Sequence, residues 1–380
     1  MQFEIPALTI LIDRAVREVA PAVQLVVRWQ GATVYERAAG WIDPEACSRP
    51  TQPDTLFDLA SVTKLFTVTL FMMLVEAGEV TLDQPLVSLL PEIGGARSIQ
   101  PYEDPQQSGR LISLESRAVT VDVRQITMRQ VLTHTSGLPA WRPLFRQPSQ
   151  VAAWHLALTT ACAYRPGTQV LYSDIGLILL GLAVERLTGQ SLDRLVTQRI
   201  SQPLGLQQTC FVPLNQPQRS IATIAPTEVC GWRNRRVHGE AHDENAAALG
   251  GIAGHAGLFS TAAEVARFGQ IFLDGGAPLL SAATVAEMTR PHVERDTTRR
   301  GLGFALWSPD PEASSHPLSR QTFGHTGFTG TSLWIDPQRR LVVALLTNDV
   351  YHGRAERRIG GLRLAVHQTI VTAVDHFDRG

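Results

Sequence analysis

The chain has 380 residues, of which 44% are hydrophobic and 18% charged, and its formal net charge at pH 7 is −1. This composition is ordinary for a soluble globular protein, and the length allows an extensive buried core. A charge balance this close to zero argues against a nucleic-acid partner and against electrostatic attraction to an anionic membrane.

Hydrophobic periodicity and turn residues predict strands near both chain ends and a helical middle. In chain order, the predicted elements are a helix over 8–19, strands over 24–29 and 33–38, helices over 61–77, 129–132, 175–188, 192–200 and 262–273, strands over 332–335 and 341–346, and a helix over 358–377. This order predicts an α+β fold in which an antiparallel sheet takes strands from both chain ends and is flanked by helices.

We interpret residues 1–380 as a single catalytic domain with two lobes. The sheet lobe would comprise about 1–60 and 300–380, and a mainly helical lobe about 61–299. The cleft between two lobes is the natural place for a small-molecule site. A polar stretch over 94–117 and a loop over 213–245 are expected to shape that cleft.

The four cysteines form no C-x-x-C pair and predict buried free thiols; they are Cys47, Cys162, Cys210 and Cys230. The first twenty residues lack a basic segment followed by a long apolar one, so we expect a cytoplasmic protein without a membrane segment.

The tetrapeptide Ser61-Val62-Thr63-Lys64 has the form S-x-x-K, and residues three apart share one face of a helix. Lys64 is the only lysine among 34 lysines and arginines. An arginine does not give up its proton in a protein, whereas a lysine with a lowered pKa can accept one from a serine hydroxyl. We expect burial beneath the neighbouring apolar residues to lower the pKa of Lys64.

Two further segments carry candidate polar groups. Tyr172-Ser173-Asp174 precedes a strong helix, and a tyrosine beside a cationic lysine can act as a base through its stabilised phenolate. His325-Thr326-Gly327 precedes a strand, where small residues let a substrate lie against a strand edge. Taken alone, the first segment also fits a packed aromatic ring with a helix cap, and the second fits a turn with an exposed histidine.

Together with Leu132-Thr133-His134-Thr135-Ser136-Gly137-Leu138-Pro139, these three motifs resemble those of the penicillin-recognising serine hydrolases. The nearest branch is that of class C β-lactamases, D-Ala-D-Ala carboxypeptidases and β-lactamase-fold esterases, and the run Ala253-Gly254-His255-Ala256-Gly257-Leu258-Phe259-Ser260 is typical of its esterase and carboxypeptidase members. The resemblance covers nearly the whole chain and implies a β-lactamase/transpeptidase-like fold.

The resemblance also implies a role for each motif residue. Ser61 would be the nucleophile, Lys64 its activating partner and Tyr172 a second proton carrier. The backbone N–H groups of Ser61 and Phe328 would form the oxyanion hole. His325 and Thr326, with Gly327 after them, would contact a substrate carboxylate or carbonyl.

The chain departs from the family pattern at two positions. The tyrosine motif usually ends in Asn and here ends in Asp174, whose carboxylate would favour the charged form of Lys64 and so oppose its role as a base. Either the proton then travels through Tyr172, or Asp174 binds the substrate by contacting its donor groups. The third motif often begins with Lys and here begins with His325, which is only partly charged at neutral pH and weakens capture of a carboxylate.

Other kinds of site find less support. His238, His242 and His255, with Asp243 and Glu244, could be proposed as a metal site, but their surroundings are typical of a loop. The chain contains neither G-x-S-x-G nor a phosphate-binding loop. The sequence therefore predicts no metal and no cofactor.

These features predict a serine hydrolase that forms an acyl-enzyme on Ser61 with a small-molecule acyl substrate. A carboxylesterase acting on small acyl esters is the first hypothesis. A D-Ala-D-Ala carboxypeptidase or weak class C-like β-lactamase is the second, and a catalytically silent ligand-binding scaffold is the third. The oligomeric state stays open.

Overall fold

The computed structural model describes residues 4–115, 119–215, 219–355 and 357–378. Its strands are β1 (Ala22–Trp29), β2 (Ala32–Gly40), β3 (Phe57–Asp58), β4 (Ala96–Ser98), β5 (Tyr102–Glu103), β6 (Leu111–Ile112), β7 (Thr120–Asp122), β8 (Cys210–Phe211), β9 (Val229–Cys230), β10 (Arg235–Arg236), β11 (Leu258–Ser260), β12 (Val293–Arg295), β13 (Thr298–Arg300), β14 (Ala305–Leu306), β15 (Phe323–Thr326), β16 (Ser332–Asp336) and β17 (Leu341–Thr347). Its helices are α1 (Pro6–Glu18), α2 (Thr63–Glu76), α3 (Met128–Leu132), α4 (Gln150–Thr159), α5 (Asp174–Thr188), α6 (Leu192–Val196), α7 (Gln202–Leu204), α8 (Glu244–Ala248), α9 (Ala262–Leu273), α10 (Ala282–Thr289) and α11 (Ile359–Phe377).

The main sheet has eight antiparallel strands in the order β12-β13-β14-β15-β16-β17-β1-β2. Strands from the two chain ends meet at its centre, where β1 pairs with β17 and Val26 lies opposite Ala344. All seven residues of β17 are buried because apolar helices cover both faces of the sheet. The predicted α+β fold with a sheet built from both chain ends is confirmed.

The helices on the two faces come from different parts of the chain. On one face, α1 and α11 pack together over side chains such as Leu25 and Val343. On the other, α9 lies against β1, β16 and β17. Gly269 of α9 allows this close approach, because a Cβ there would lie 2.8 Å from both Leu333 and Val342. Because α9, β12 and β13 belong to the sheet side, that side extends beyond the predicted boundary near residue 299.

The helical side of the molecule is organised around α2, which packs against α5 and α6. Nearly every residue of α2 up to Leu74 is buried, as expected for a helix that is apolar all round. A polar side chain on the first turn of α2 is therefore either buried in the protein interior or directed into the cleft. Lys64 lies on this first turn.

Two predicted segments differ in detail from the structure. The polar stretch that begins at Gly94 contains two small antiparallel pairs, β4 with β7 and β5 with β6, and its predicted end at Arg117 lies outside the described residues. The predicted helix over 192–200 is α6 followed by a π-helical turn over Thr197–Ser201.

Among the described residues, no single helix is long and apolar enough to cross a membrane. Only the bent pair Asp174–Thr188 and Leu192–Leu204, which meet at 79°, passes that test of length and composition together.

Candidate active site

Ser61 lies where β3 turns into α2, on the short 3₁₀ turn Ala60–Val62. Ala60 has a φ of +46°, a left-handed conformation that is uncommon for a residue with a side chain. The buried carboxylate of Asp58 stabilises this turn, because its Oδ1 accepts the Ala60 N–H at 2.7 Å and its Oδ2 accepts the His242 N–H at 2.6 Å. The turn thereby presents the Ser61 side chain to a cavity.

Lys64 lies one turn further along, with only 1% of its side chain exposed. Its Nζ donates to Ser61 Oγ at 2.7 Å and to the backbone oxygen of His255 at 3.0 Å. It also forms an ion pair with Asp174 Oδ1 at 2.8 Å. The structure thus brings the single amine side chain, the Ser61 hydroxyl and Asp174 to one point.

The expectation that burial lowers the pKa of Lys64 is wrong in its net result. Burial does lower the pKa, but the negative charge of Asp174 and the nearby phenol of Tyr172 raise it by more. The resting amine is therefore protonated, in agreement with the expected effect of a carboxylate at position 174.

Tyr172 lies above this amine, with Lys64 Nζ 5.0 Å from the centre of its ring. The backbone N–H of Ser173 donates to His134 Nδ1 at 3.1 Å, and the Ser173 hydroxyl donates to Pro139 O at 2.6 Å. The 132–139 run therefore fixes the backbone next to Tyr172. Its signal in the sequence was the family motif, which gave no role to His134.

The pKa of Tyr172 also differs from expectation. Burial raises it, and the positive charge of Lys64 does not fully offset that effect. The phenolate is therefore not the resting form, contrary to the sequence-based expectation. The hydroxyl is buried beside Lys64 and Ser61 without a well-directed hydrogen bond to either, so it is free to donate to a bound substrate.

The segment after β15 lies directly along the turn that carries Ser61. A Cβ on Gly327 would be 2.1 Å from Thr331 Oγ1 and 2.5 Å from Leu59 O, so only glycine fits. The Thr331 hydroxyl donates to Leu59 O at 2.8 Å and joins the two segments. Within the described residues, the N–H groups of Ser61 and Phe328 donate no hydrogen bond, as an oxyanion hole requires.

His325 is a buried residue of β15 rather than an exposed turn histidine. Its Nδ1–H donates to Thr326 O at 2.7 Å. Burial, together with the positive charges of Lys64 and Arg300, lowers the pKa of His325 well below its usual value. The imidazole is therefore neutral, so it supplies no positive charge to a substrate.

Arg300, at the end of β13, is a cavity residue that sequence reasoning missed. Its guanidinium lies 5.5 Å from the centre of the Tyr172 ring, and its buried Nε has no hydrogen-bond partner. It forms no ion pair with any described residue. No pattern distinguishes it in the sequence, where it is one of many arginines.

The histidines considered as metal ligands, of which His242 lines the cavity, have other partners. His255 Nε2 lies 2.9 Å from Asp243 Oδ1, and His242 Nε2 lies 2.9 Å from Glu228 Oε1. His238 contacts a backbone oxygen at 2.8 Å. In the part of the chain that the structure describes, no group of three or more His, Cys, Asp or Glu side chains could hold a metal ion.

The cavity in front of Ser61 has a volume of about 980 Å³. Tyr172, Asp174, Arg300 and His325 line its inner part, together with Ser61. The cavity volume is at the upper end of the range for small-molecule sites and far exceeds the volume of an acetyl group.

Comparison with known proteins identifies the family. Residues 11–367 match the family model described as Beta-lactamase. The chain belongs to the Beta-lactamase family. It is therefore a serine hydrolase by family, as the motifs predicted.

Relatives agree over most of the chain. A protein of Escherichia coli (strain K12) described as "Putative D-alanyl-D-alanine carboxypeptidase" is 32% identical over 86% of this chain and 78% of its own length. The solved structure of EstCE1, described as a hydrolase with promiscuous acyltransferase activity, has a TM-score of 0.74 at 20% identity and covers 96% of this chain and 98% of its own. A penicillin-binding protein homologue from Caulobacter crescentus has a TM-score of 0.72 at 18% identity, covering 97% of each chain.

Proposed function

We propose that this member of the Beta-lactamase family hydrolyses carboxylic esters through an acyl-enzyme on Ser61. The observation that carries the proposal is the 2.7 Å contact between Lys64 Nζ and Ser61 Oγ at the surface of an open cavity. A serine hydroxyl needs such a neighbour to take its proton as it attacks an acyl carbon.

The protonated resting state of Lys64 requires one proton transfer before attack. Lys64 loses that proton to solvent before the substrate fills the cavity, against the attraction of Asp174 Oδ1 at 2.8 Å, and this leaves a neutral amine facing Ser61 Oγ. Lys64 then takes the Ser61 proton, and the N–H groups of Ser61 and Phe328 stabilise the oxyanion. Tyr172 protonates the leaving oxygen and regains its proton from Lys64, and water releases the acyl group by the same steps in reverse.

The neutral state of His325 favours an ester over a substrate that carries a carboxylate. A lysine at this position would offer a permanent charge, whereas a buried neutral imidazole offers only hydrogen bonding. An uncharged ester needs no positive charge at position 325 in order to bind. The likeness in fold to EstCE1 is compatible with this choice.

A second candidate is a D-Ala-D-Ala carboxypeptidase, and Arg300 is the observation that favours it. Its half-buried guanidinium lines the cavity without a carboxylate partner among the described residues, so a carboxylate on a ligand would meet an unpaired cation there. The descriptions of several relatives name the same activity. A terminal carboxylate on the substrate would then take the place of the missing partner.

A substrate panel separates the candidates. We expect purified protein to hydrolyse p-nitrophenyl esters, to act weakly or not at all on a chromogenic cephalosporin, and to leave a D-Ala-D-Ala peptide intact. A fluorophosphonate should label Ser61, as shown by peptide mass spectrometry. Hydrolysis of the peptide but not the esters would overturn the ester proposal, and absence of any labelled residue would favour a silent binding scaffold.

The variant Arg300→Ala tests whether Arg300 binds the carboxylate of a peptide substrate. If the carboxypeptidase candidate holds, this change should raise KM for the peptide by tenfold or more and leave ester KM within a few-fold. The matched control is Arg295→Ala, because Arg295 is exposed and does not line the cavity.

A further inference from the structure

The outer part of the cavity is walled by three aromatic side chains that the reaction does not use. Trp141 and Phe145 follow the 132–139 run, and Trp232 lies on the turn between β9 and β10. The Trp141 and Phe145 ring centres are 6.1 Å apart, and Phe145 meets Trp232 edge-on at 5.2 Å. We call these three residues the aromatic rim.

The aromatic rim is held in place before any ligand binds. Fully buried Asn245 accepts the Phe145 N–H through Oδ1 at 3.1 Å and donates to Arg142 O at 2.8 Å. The Arg233 guanidinium donates to Ala241 O at 2.9 Å and to His242 O at 3.1 Å, which fixes the turn that carries Trp232. The backbone that carries Phe145 and Trp232 therefore needs little reorganisation when a group binds, which favours affinity.

The charged side chains beside the rim are already paired. Arg146 binds both carboxylate oxygens of Glu103, at 2.7 and 2.9 Å, and Arg233 lies 3.9 Å from Glu240. This contrasts with Arg300 in the inner cavity, which has no such partner. Both guanidinium groups also lie over rim rings, Arg146 at 5.4 Å from the Phe145 centre and Arg233 at 5.1 Å from the Trp232 centre, so a ligand at the rim meets ring surface beside cations whose charge is already balanced.

Part of the aromatic surface at the rim is also exposed to solvent. Trp232 is 44% exposed although it borders a cavity of about 980 Å³ that is continuous with the Ser61 hydroxyl. Apolar surface of this kind at the mouth of a cleft typically marks a binding subsite.

We propose that the aromatic rim is a substrate subsite for a bulky uncharged apolar group, such as a medium-chain alkyl or an aryl group, attached to the ester that Ser61 attacks. The proposal rests on the proposed ester hydrolysis and replaces the expectation of small acyl esters. The rim sets which esters are turned over fast, while Ser61, Lys64 and Tyr172 carry out the same chemistry on all of them.

The test compares Trp232→Ala with Trp41→Ala. Trp41 is a matched control because it is 38% exposed and does not line the cavity. The readout is the ratio of kcat/KM for p-nitrophenyl octanoate to that for p-nitrophenyl acetate, with octyl against ethyl acetate as the series for the alcohol side. We expect at least one ratio to exceed one in the natural protein and to fall about tenfold in Trp232→Ala, whereas Trp41→Ala keeps it.

Trp232→Phe is the control for misfolding of Trp232→Ala. It keeps an aromatic ring at the rim and should retain most of the selectivity for long-chain esters. Ratios that are equal in Trp232→Ala and Trp41→Ala would overturn the subsite. So would a natural protein that prefers the short chain in both series.

A second measurement separates failure of the subsite from failure of ester hydrolysis. Alkyl fluorophosphonates modify an activated serine without turnover, so the labelling rates of long-chain and short-chain reagents at Ser61 report on the rim even if no ester is cleaved. Loss of the long-chain advantage in Trp232→Ala alone supports the subsite. Equal rates for both reagents in the natural protein reject it, whatever the ester assays give.

Discussion

The inner and outer parts of the cavity differ in how their side chains are held. At the reaction centre (Ser61, Lys64 and Tyr172), the polar groups are buried or partly buried, and Lys64 is bound by three oxygens at 3.0 Å or less. At the aromatic rim, rings from surface segments stand partly exposed, and mainly their backbone is clamped. The comparison teaches that changes at the centre should slow every substrate alike, whereas changes at the rim should alter the ranking of substrates.

Ser61→Ala gives the largest expected effect. Removing the nucleophile should lower kcat by about 10⁴-fold or more for short and long esters alike. The fold should persist, because Ser61 contributes a single hydroxyl at the cavity surface. Steady-state assays on both esters, with thermal unfolding as the fold control, check this. Residual activity that differs greatly between the two esters would break the distinction between centre and rim.

Lys64→Arg should be nearly as damaging although it keeps the positive charge. A guanidinium does not become neutral in a protein, so it cannot accept the Ser61 proton, and the expected loss in kcat is about 10²- to 10⁴-fold. Single-turnover acylation measured by stopped flow checks the step affected. Near-normal acylation would show that Lys64 carries no proton.

Gly327→Ala tests the contact between β15 and the Ser61 turn. A Cβ placed 2.1 Å from Thr331 Oγ1 must displace the segment that carries Phe328 N–H. We expect kcat to fall about 10²-fold on all esters, as for loss of one oxyanion donor, with about 1–3 kcal/mol lower stability. Gly360→Ala is the control: a Cβ there meets nothing within 4 Å, so kcat should stay unchanged, and stability should not fall because alanine favours helix α11 over glycine by up to about 1 kcal/mol.

Asp174→Asn should produce the smallest change and the most informative pH profile. Asp174 raises the pKa of Lys64, so its removal lowers that pKa and makes the neutral amine available at lower pH. The acidic limb of kcat/KM against pH should therefore move to lower pH, with activity at pH 7 equal or a few-fold higher. Exposed Asp54→Asn should leave the profile in place. A complete loss of activity would instead give the carboxylate an indispensable catalytic role.

Local sequence patterns were enough to predict most helices and strands of the fold. The predicted helix over 262–273 is α9 to the residue, and the predicted strands over 24–29, 33–38, 332–335 and 341–346 are parts of β1, β2, β16 and β17. The short strands β12 to β14 escaped prediction, because two or three residues paired at a sheet edge carry no readable period.

For the site, the motifs predicted the proximity of Ser61, Lys64, Tyr172 and Asp174, and the structure brings them together. For Lys64, burial and Asp174 shift the pKa in the predicted directions, but the sequence did not determine which shift is larger; for Tyr172, the effect of burial on the pKa was not predicted. Burial and a charged neighbour shift the pKa of the same group in opposite directions, and only the tertiary structure decides which shift is larger. The catalytic roles of these residues stay predictions that the substitutions above test.

The sequence by itself determined that a serine and the single lysine share one helical face, because three-residue spacing along a helix is a local property. Only the tertiary structure decided that His255, 191 positions away, supplies an acceptor to that lysine, that Arg300 stands unpaired beside Tyr172, and that Trp232 joins Phe145 at the cavity mouth. Such contacts arise from packing between distant segments, which leaves no periodic trace in the chain.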